Sequence, residues 1–566
     1  MKTTDKWPVG KEQPAWFERL NDDVLRLVLA DLSLDDTNHL FNVVEVSKRL
    51  YFLAMPLLYR DTTLDLARST HQRLLRRLTR PGAQLPHAIR IIRLKGTSKQ
   101  TPVQLLDLYV FFGSLTDIRE FHWHGTLSIP HRFLEVLSCR HPTAEIYIDA
   151  QSIKLGVADT TPTLACTVFT HLAGTQLREF TYTPIDAAQM YGGFKLHLIQ
   201  MLKRCHTLRA LTISWTGDEY RDFPEVLAEV RQGPFTKLRE LRFLTPARNG
   251  VALFTAGEVS LLRAHGCWDL LETLSLEHVS LLPHFLTTYS KLRNLWLYHV
   301  DQTSWNVIES WLDENNYSFE NLANLQFFGI ATTGSNVVQS MVPWAIVRRA
   351  PKVTTMLLHR AYYNPSSYLA SNALTVSDVE QLRTSCPGLT YMSFDIAVRG
   401  KWPTLKNNIL HELAQFPEAI EVELYLHMNL TLLSEIGLNR FKCRRAFNRV
   451  LHERRQLGLP CDSRFQIGFK VVRPLNRLRG NSVVPDYNYS LNKAGEVQVW
   501  RQNSTKLRET LHSMGLKDLM GRVTSSCTRL VGWGRGGYTA QLKRQEINNQ
   551  GLAGFSADSM LYDLLT

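Results

Sequence analysis

Lys291-Leu292-Arg293-Asn294-Leu295-Trp296-Leu297-Tyr298-His299-Val300 is the stretch on which the fold turns. Its leucines at 292, 295 and 297 are separated by two residues and then by one. Leu295 and Leu297 alternate with Trp296 and Tyr298, the period of a strand with one buried side. The same spacing recurs at Ile89-Ile92-Leu94, Ile118-Phe121-Trp123, Leu177-Phe180-Tyr182, Leu208-Leu211-Ile213 and Leu238-Leu241-Phe243. It continues at Leu271-Leu274-Leu276, Leu322-Leu325-Phe327, Val353-Met356-Leu358 and Leu389-Met392-Phe394, with weaker copies at Thr143-Ile146-Ile148 and Ala419-Val422-Leu424. Successive copies start 21 to 36 residues apart, with a mean near 30.

Helix-like stretches fill the gaps, among them Phe223 to Val230, Trp305 to Leu312, Val379 to Arg383 and Ile409 to Phe416. Pro142, Pro351, Pro387 and Pro417 end such stretches, because proline cannot continue a helix. A strand and a helix in each unit predict an α/β fold, a curved solenoid with parallel strands, because no unit buries its helix face alone. The array resembles an irregular leucine-rich repeat over residues 67–439, although its spacing exceeds the family's usual range and no regular Asn or Cys follows the strands.

If the array is a solenoid, residues between the buried strand positions form its binding face. Trp296, Tyr298, His299, Phe328, His359 and Arg360 are candidates there, since aromatic and Arg side chains most often carry interface energy. His122 and His124 flank Trp123 on one side of a strand, with no third metal ligand in view.

Ahead of the array, apolar residues at Leu20, Val24, Leu25, Val28, Leu29 and Leu32 recur in steps that stripe one side of a helix. Asn21 stands at its N-cap position, and Asp22 and Asp23 fill the first turn. Leu40, Val43, Val44 and then Val46-Ser47-Lys48-Arg49-Leu50 predict two more short helices, and Pro56 predicts a break before Leu57-Leu58-Tyr59. Residues 16–66 resemble an F-box, most closely the fungal kind, with Asn21 where the family usually has Pro. That resemblance implies docking on a Skp-family adaptor, and through it a cullin, by way of Leu20, Asn21, Val24, Val28, Leu32, Val46 and Pro56. It also implies that the rest of the chain recognises a protein substrate for ubiquitination. The alternative is an F-box scaffold that binds the adaptor without directing ubiquitination.

Charge is uneven along the 566 residues. Residues 1–66 hold 8 Lys and Arg against 11 Asp and Glu, whereas residues 440–566 hold 22 against 9, so the last segment alone equals the chain's net +13. That segment reads as a basic cap on the solenoid. Within it, Arg440 to Leu457 is predicted as an amphipathic helix with Arg454 on its polar side. Phe465 to Val471 is predicted as a strand that Val497 to Trp500 pairs with, and Leu507 to Leu530 as a helix. Residues 1–15 carry Lys2, Lys6 and Lys11 without an apolar core, so they read as a disordered tail and not a signal peptide. No run approaches a membrane span, and nucleic-acid motifs are lacking. Eight cysteines are scattered with no C-x-x-C pair, which fits a reducing compartment, cytosol or nucleus, and no metal.

Gly532-x-Gly534-x-x-Gly537 has dinucleotide-binding spacing, but too little chain follows for a βαβ unit, so no cofactor is expected. No G-x-S-x-G, H-E-x-x-H or P-loop is present, and no nucleophile, base and orienting residue are expected to converge. A binding protein, not an enzyme, is the expectation.

Overall fold

The computed structural model describes residues 19–35, 37–80, 85–96, 102–125, 131–150, 176–182, 205–214, 237–244, 254–264, 267–286, 291–300, 302–329, 342–360, 374–398, 407–428, 440–461, 464–472, 486–491 and 497–502. The predicted helices over 223–230 and 507–530, the 1–15 tail and the Gly532 motif lie outside them. Two compact units divide the chain, one of residues 1–183 and 200–208, the other of 184–199 and 209–566.

The first unit begins with three helices, α1 (Asp22–Asp35), α2 (Thr37–Val44) and α3 (Lys48–Tyr59). Asn21 does cap α1: its Oδ1 accepts from the Asp23 amide at 3.1 Å, and its carbonyl accepts from Leu25. Ser47 caps α3 through the Leu50 amide. Arg49 ties the two helix starts together, donating to the Asp22 carboxylate at 2.9 Å and to the Leu20 carbonyl at 2.6 Å. The break expected at Pro56 does not occur, and α3 runs through it to Tyr59. The carbonyl that Pro56 leaves without its helical donor belongs to Phe52, an exposed residue, so water can serve it.

The first unit's sheet holds β1 (Asp61–Asp65), β2 (Ile91–Gly96), β3 (Glu120–Gly125), β4 (Glu145–Ala150) and β5 (Leu177–Tyr182), in that order and all parallel. β1 precedes the first template copy. Thr62 and Leu64 supply its two buried positions, and one is polar, so the apolar spacing misses it. Phe112, Phe121, Trp123 and Phe133 form the aromatic centre of this unit's core.

The second unit continues the pattern with β6 (Ala210–Ser214), β7 (Glu240–Leu244), β8 (Thr273–Leu276), β9 (Asn294–Val300), β10 (Asn324–Gly329), β11 (Thr355–Arg360), β12 (Tyr391–Val398), β13 (Glu421–Met428) and β14 (Gln466–Val472). Each pairs parallel with the next. Leu241, Leu274, Leu295, Leu325, Met356, Met392, Val422 and Ile467 stand in one register, every one fully buried. Burying such a side chain contributes about 2 kcal/mol, and stacking repeats it at each step. One backbone device also recurs. The residue before most of these strands offers its carbonyl to two amides of the following copy, as Arg293 does to Ala323 and Asn324, and Thr354 to Thr390 and Tyr391. Helices Gln302–Asn315, Val376–Ser385 and Asn407–Ala414 cover three of the predicted helical stretches.

Beyond residue 439 the cap reading needs correction in two places. Helix Arg440–Gln456 and β14 make one more helix-strand unit of the parallel sheet. Among the described residues only β15 (Asp486–Leu491) and β16 (Val497–Gln502) turn antiparallel, and β16 pairs with β15, not with β14 as expected. Arg454 is not on the polar side. It is wholly buried and donates to the carbonyls of Phe416 at 2.6 Å and Pro460 at 3.0 Å, with its guanidinium 4.5 Å from the centre of the Phe465 ring.

Candidate functional site

Two surfaces stand out. The first is the N-terminal helical module, whose apolar stripe is divided. Leu25 and Leu29 of α1 join Leu40, Val44, Leu50, Leu53, Ala54 and Met55 in a small core. Leu20, Val28 and Leu32 are half-buried at its edge. Asn21 and Pro56 are exposed, and Val24 and Val46 are exposed at 43 % and 63 %. Leu27 and Phe52, each 72 % exposed, were not among the residues expected at this surface. Their signal in the sequence was an apolar residue off the buried stripe, which periodicity alone discards.

The second surface is the side of β7–β13 opposite the buried core. Outward positions stack across strands in register, and Trp296, Gln326 and Leu357 form one row, with Ser393 and Glu423 completing it. Two residues on, Phe328 and His359 stand in register, as do Asp395 and Tyr425. Of the expected face residues, Trp296, Tyr298, Phe328 and His359 do come together. The Tyr298 and Phe328 rings stack at 4.9 Å with 16° between their planes, and Phe328 lies 5.6 Å from His359. Trp296 is covered by the Arg242 guanidinium, 4.1 Å from its ring centre, while Arg242 Nε lies 2.7 Å from Glu240. The side chains of His299 and Arg360 lie outside the described residues.

Against expectation, a hydroxyl, an imidazole and a carboxylate converge here. Ser393 Oγ lies 3.1 Å from His359 Nε2, and His359 Nδ1 lies 3.0 Å from Asp395 Oδ1. Ser393 Oγ also reaches Glu423 at 3.4 Å, and the Tyr425 ring meets His359 edge-on. The register of β11 on β12 brings His359 beside Ser393 and Asp395, although 34 and 36 residues separate them in sequence. Reading outward positions of consecutive copies side by side would have found them. Chemically the cluster is a clamp across three strands: Ser393 is 1 % exposed and Asp395 fully buried, so no substrate atom reaches the hydroxyl.

Tyr391, next along β12, has its phenol held well above the usual value, first by burial and then by Glu423, Tyr425 and Glu421. Its hydroxyl is directed toward Glu423 but closes no hydrogen bond of good geometry. Trp296 Nε1 and Ser275 Oγ are likewise buried without a partner.

In the first unit, His122 stacks on Tyr147 at 4.3 Å and lies 3.0 Å from Glu120, while His124 lies 3.6 Å from Asp149. Burial lowers the His122 pKa. Among the described residues no group of three His, Cys, Asp or Glu could hold a metal ion, and no helix is long and apolar enough to cross a membrane.

No family model matches the chain, and no curated protein matches it. Among solved structures, one described as the crystal structure of Rad7 and Elc1 complex in yeast is similar at 14% sequence identity. The match covers 75% of this chain and 94% of that one, with a TM-score of 0.37. A likeness at that identity and score carries neither partner nor activity across to this chain.

Proposed function

We propose that the chain is a substrate-recognition subunit of a Skp–cullin–F-box ubiquitin ligase, an F-box protein that binds and positions targets and performs no chemistry itself. In this reading α1–α3 dock on the adaptor, and the outward side of β9–β13 holds the target protein. The observation that carries it is the uneven placement of exposed apolar side chains. Of the eight large apolar residues that are exposed among the described residues, Val24, Leu27, Val46 and Phe52 fall within 29 residues of the helical module. Four exposed large apolar side chains on a module this small are what a docking face presents. The resemblance of residues 16–66 to an F-box names the partner. Cytosol and nucleus are the compartments this role requires.

Adaptor binding alone fits the scaffold alternative equally well, so the deciding experiment is turnover. Proteins captured through the sheet face are incubated with the reconstituted adaptor, cullin and ubiquitin-transfer enzymes. The receptor reading expects ubiquitin on the captured protein, lost when the adaptor is omitted. Capture without modification would favour the scaffold.

A further inference from the structure

We propose that the outer face of the helix Arg440–Gln456 is a second docking surface, which takes a segment of a partner protein rich in glutamate and aspartate. The proposal goes beyond the readings of α1–α3 and of the sheet and rests on neither.

The two sides of this helix differ sharply. Cys443, Phe447, Val450, Leu451 and Arg454 are buried against the array. Arg444, Arg445, Asn448, His452 and Arg455 are exposed. At 3.6 residues per turn these five fall within an arc of about 100°, and they run about 16 Å along the axis. None of the five has a side-chain hydrogen bond or ion pair among the described residues. Other exposed arginines meet a carboxylate, Arg68 at Asp65, Arg76 at Asp107 and Arg239 at Glu272. On this helix the one carboxylate, Glu453, is already held by Arg449 at 2.9 Å and His411 at 3.0 Å.

The fold has no use for this charge. The helix opens with Arg440, Lys442, Arg444 and Arg445 and has no acidic residue in its first turn, the reverse of what the helix dipole favours. Like charges gathered on one face repel, and an anionic partner relieves that cost. No further described helix follows in the chain to cover this face.

The shape of the patch selects the partner. The basic strip is one helix wide. Ahead of it in the chain, Glu380 and Glu418 are exposed, and Arg383 is engaged by Glu412 at 3.5 Å. A nucleic-acid duplex carries phosphates on both strands and needs a broader basic surface. A single strand needs exposed rings on which to stack its bases, and Phe416, Phe447 and Phe465 are buried. An extended peptide instead turns every second side chain to one side, about 6.6 Å apart, so three carboxylates match a strip of this length. The arginine fork pairs with such carboxylates, and Asn448 adds an amide donor between them.

The test uses the full chain and three fluorescein-labelled probes read by fluorescence anisotropy. They are a peptide of four glutamates spaced by serine and glycine, its lysine counterpart, and a DNA duplex. Salt is held at about 150 mM NaCl, where attraction beyond about 8 Å is screened. The glutamate peptide should bind, and the lysine peptide should not. Arg444→Gln with Arg445→Gln and Arg455→Gln should weaken the glutamate peptide about ten-fold, since three charge-assisted contacts are lost together. The melting temperature should stay the same or rise, because no internal partner is removed. Arg68→Gln with Arg76→Gln and Arg239→Gln takes the same charge from paired arginines and should leave the affinity within about two-fold. A wild-type chain that ignores the glutamate peptide would overturn the proposal, as would a folded Arg444, Arg445 and Arg455 variant that binds it unchanged. Equal losses in the two triple variants would reduce the effect to net charge and overturn it too. So would a DNA duplex held more tightly than the peptide through the same three arginines.

Discussion

Arg454 carries a positive charge in a fully buried place and meets backbone carbonyls from two segments. Phe416 and Pro417 follow the helix Asn407–Ala414, where the helix dipole favours a cation. Arg454→Met keeps the apolar stem but leaves those carbonyls without this donor, so it should cost about 3 kcal/mol. Chemical denaturation of the purified variant reads this directly. His278 is a half-buried group, whose pKa burial lowers and whose Nε2 has no partner. A lowered histidine is neutral in the fold and takes up a proton more readily when unfolded. Its contribution is therefore intact above the ordinary histidine value and declines as pH falls below it, until the lowered folded value is passed. His278→Gln should flatten the fall in melting temperature between about pH 7 and pH 5. Neither role was legible beforehand. Arg454 shares its helix with a run of exposed arginines, and only the position of Pro460 and the preceding helix end sets it apart.

At the scale of elements, the sequence spoke most clearly where apolar spacing and capping agreed. Asn21, read from the sequence as an N-cap, does cap its helix; Ser47 and Thr375, not read as caps there, cap theirs as well. Thr375 and Asp378 form a reciprocal capping box, so Thr375→Ala should destabilise the second unit by about 1 kcal/mol. Thermal melting would show it, and Thr375→Ser should restore most of the loss. The strand template worked because consecutive copies bury the same two positions. It failed at β1, where Thr62 takes one of them; the helix break expected at Pro56 failed for another reason, because an exposed helix side tolerates the missing amide. The outward rows were only half legible. Aromatic residues announced Trp296, Tyr298, Phe328 and His359, but Ser393, Asp395 and Glu423 acquire meaning only through register, which one strand's sequence does not contain.

On the scale of the whole chain, the repeat pattern extends past the point where the basic segment begins. Ending the chain at residue 439 would bring its net charge to zero, since residues 440–566 hold 22 basic and 9 acidic residues. It would also strip β14 from β13 and Arg454 from its carbonyls. The truncated protein should therefore aggregate or melt early, while a chain ending at residue 472 should keep the second unit's parallel strands; light scattering against temperature distinguishes the two. The first unit's N-terminal helices are unaffected by either cut in sequence, so the proposed adaptor binding should survive in the folded product. The measurement closest to the central claim uses Val46→Asp with Phe52→Asp. Both side chains are exposed, at 63 % and 72 %, so the pair tests the surface without opening the core. Purified chain and Skp-family adaptor are mixed at micromolar concentration and run on size exclusion. The account predicts that the wild-type chain elutes with the adaptor and that the doubly substituted chain, with an unchanged melting temperature, elutes alone. A folded wild-type chain that fails to retain the adaptor, or a variant that retains it fully, would contradict it.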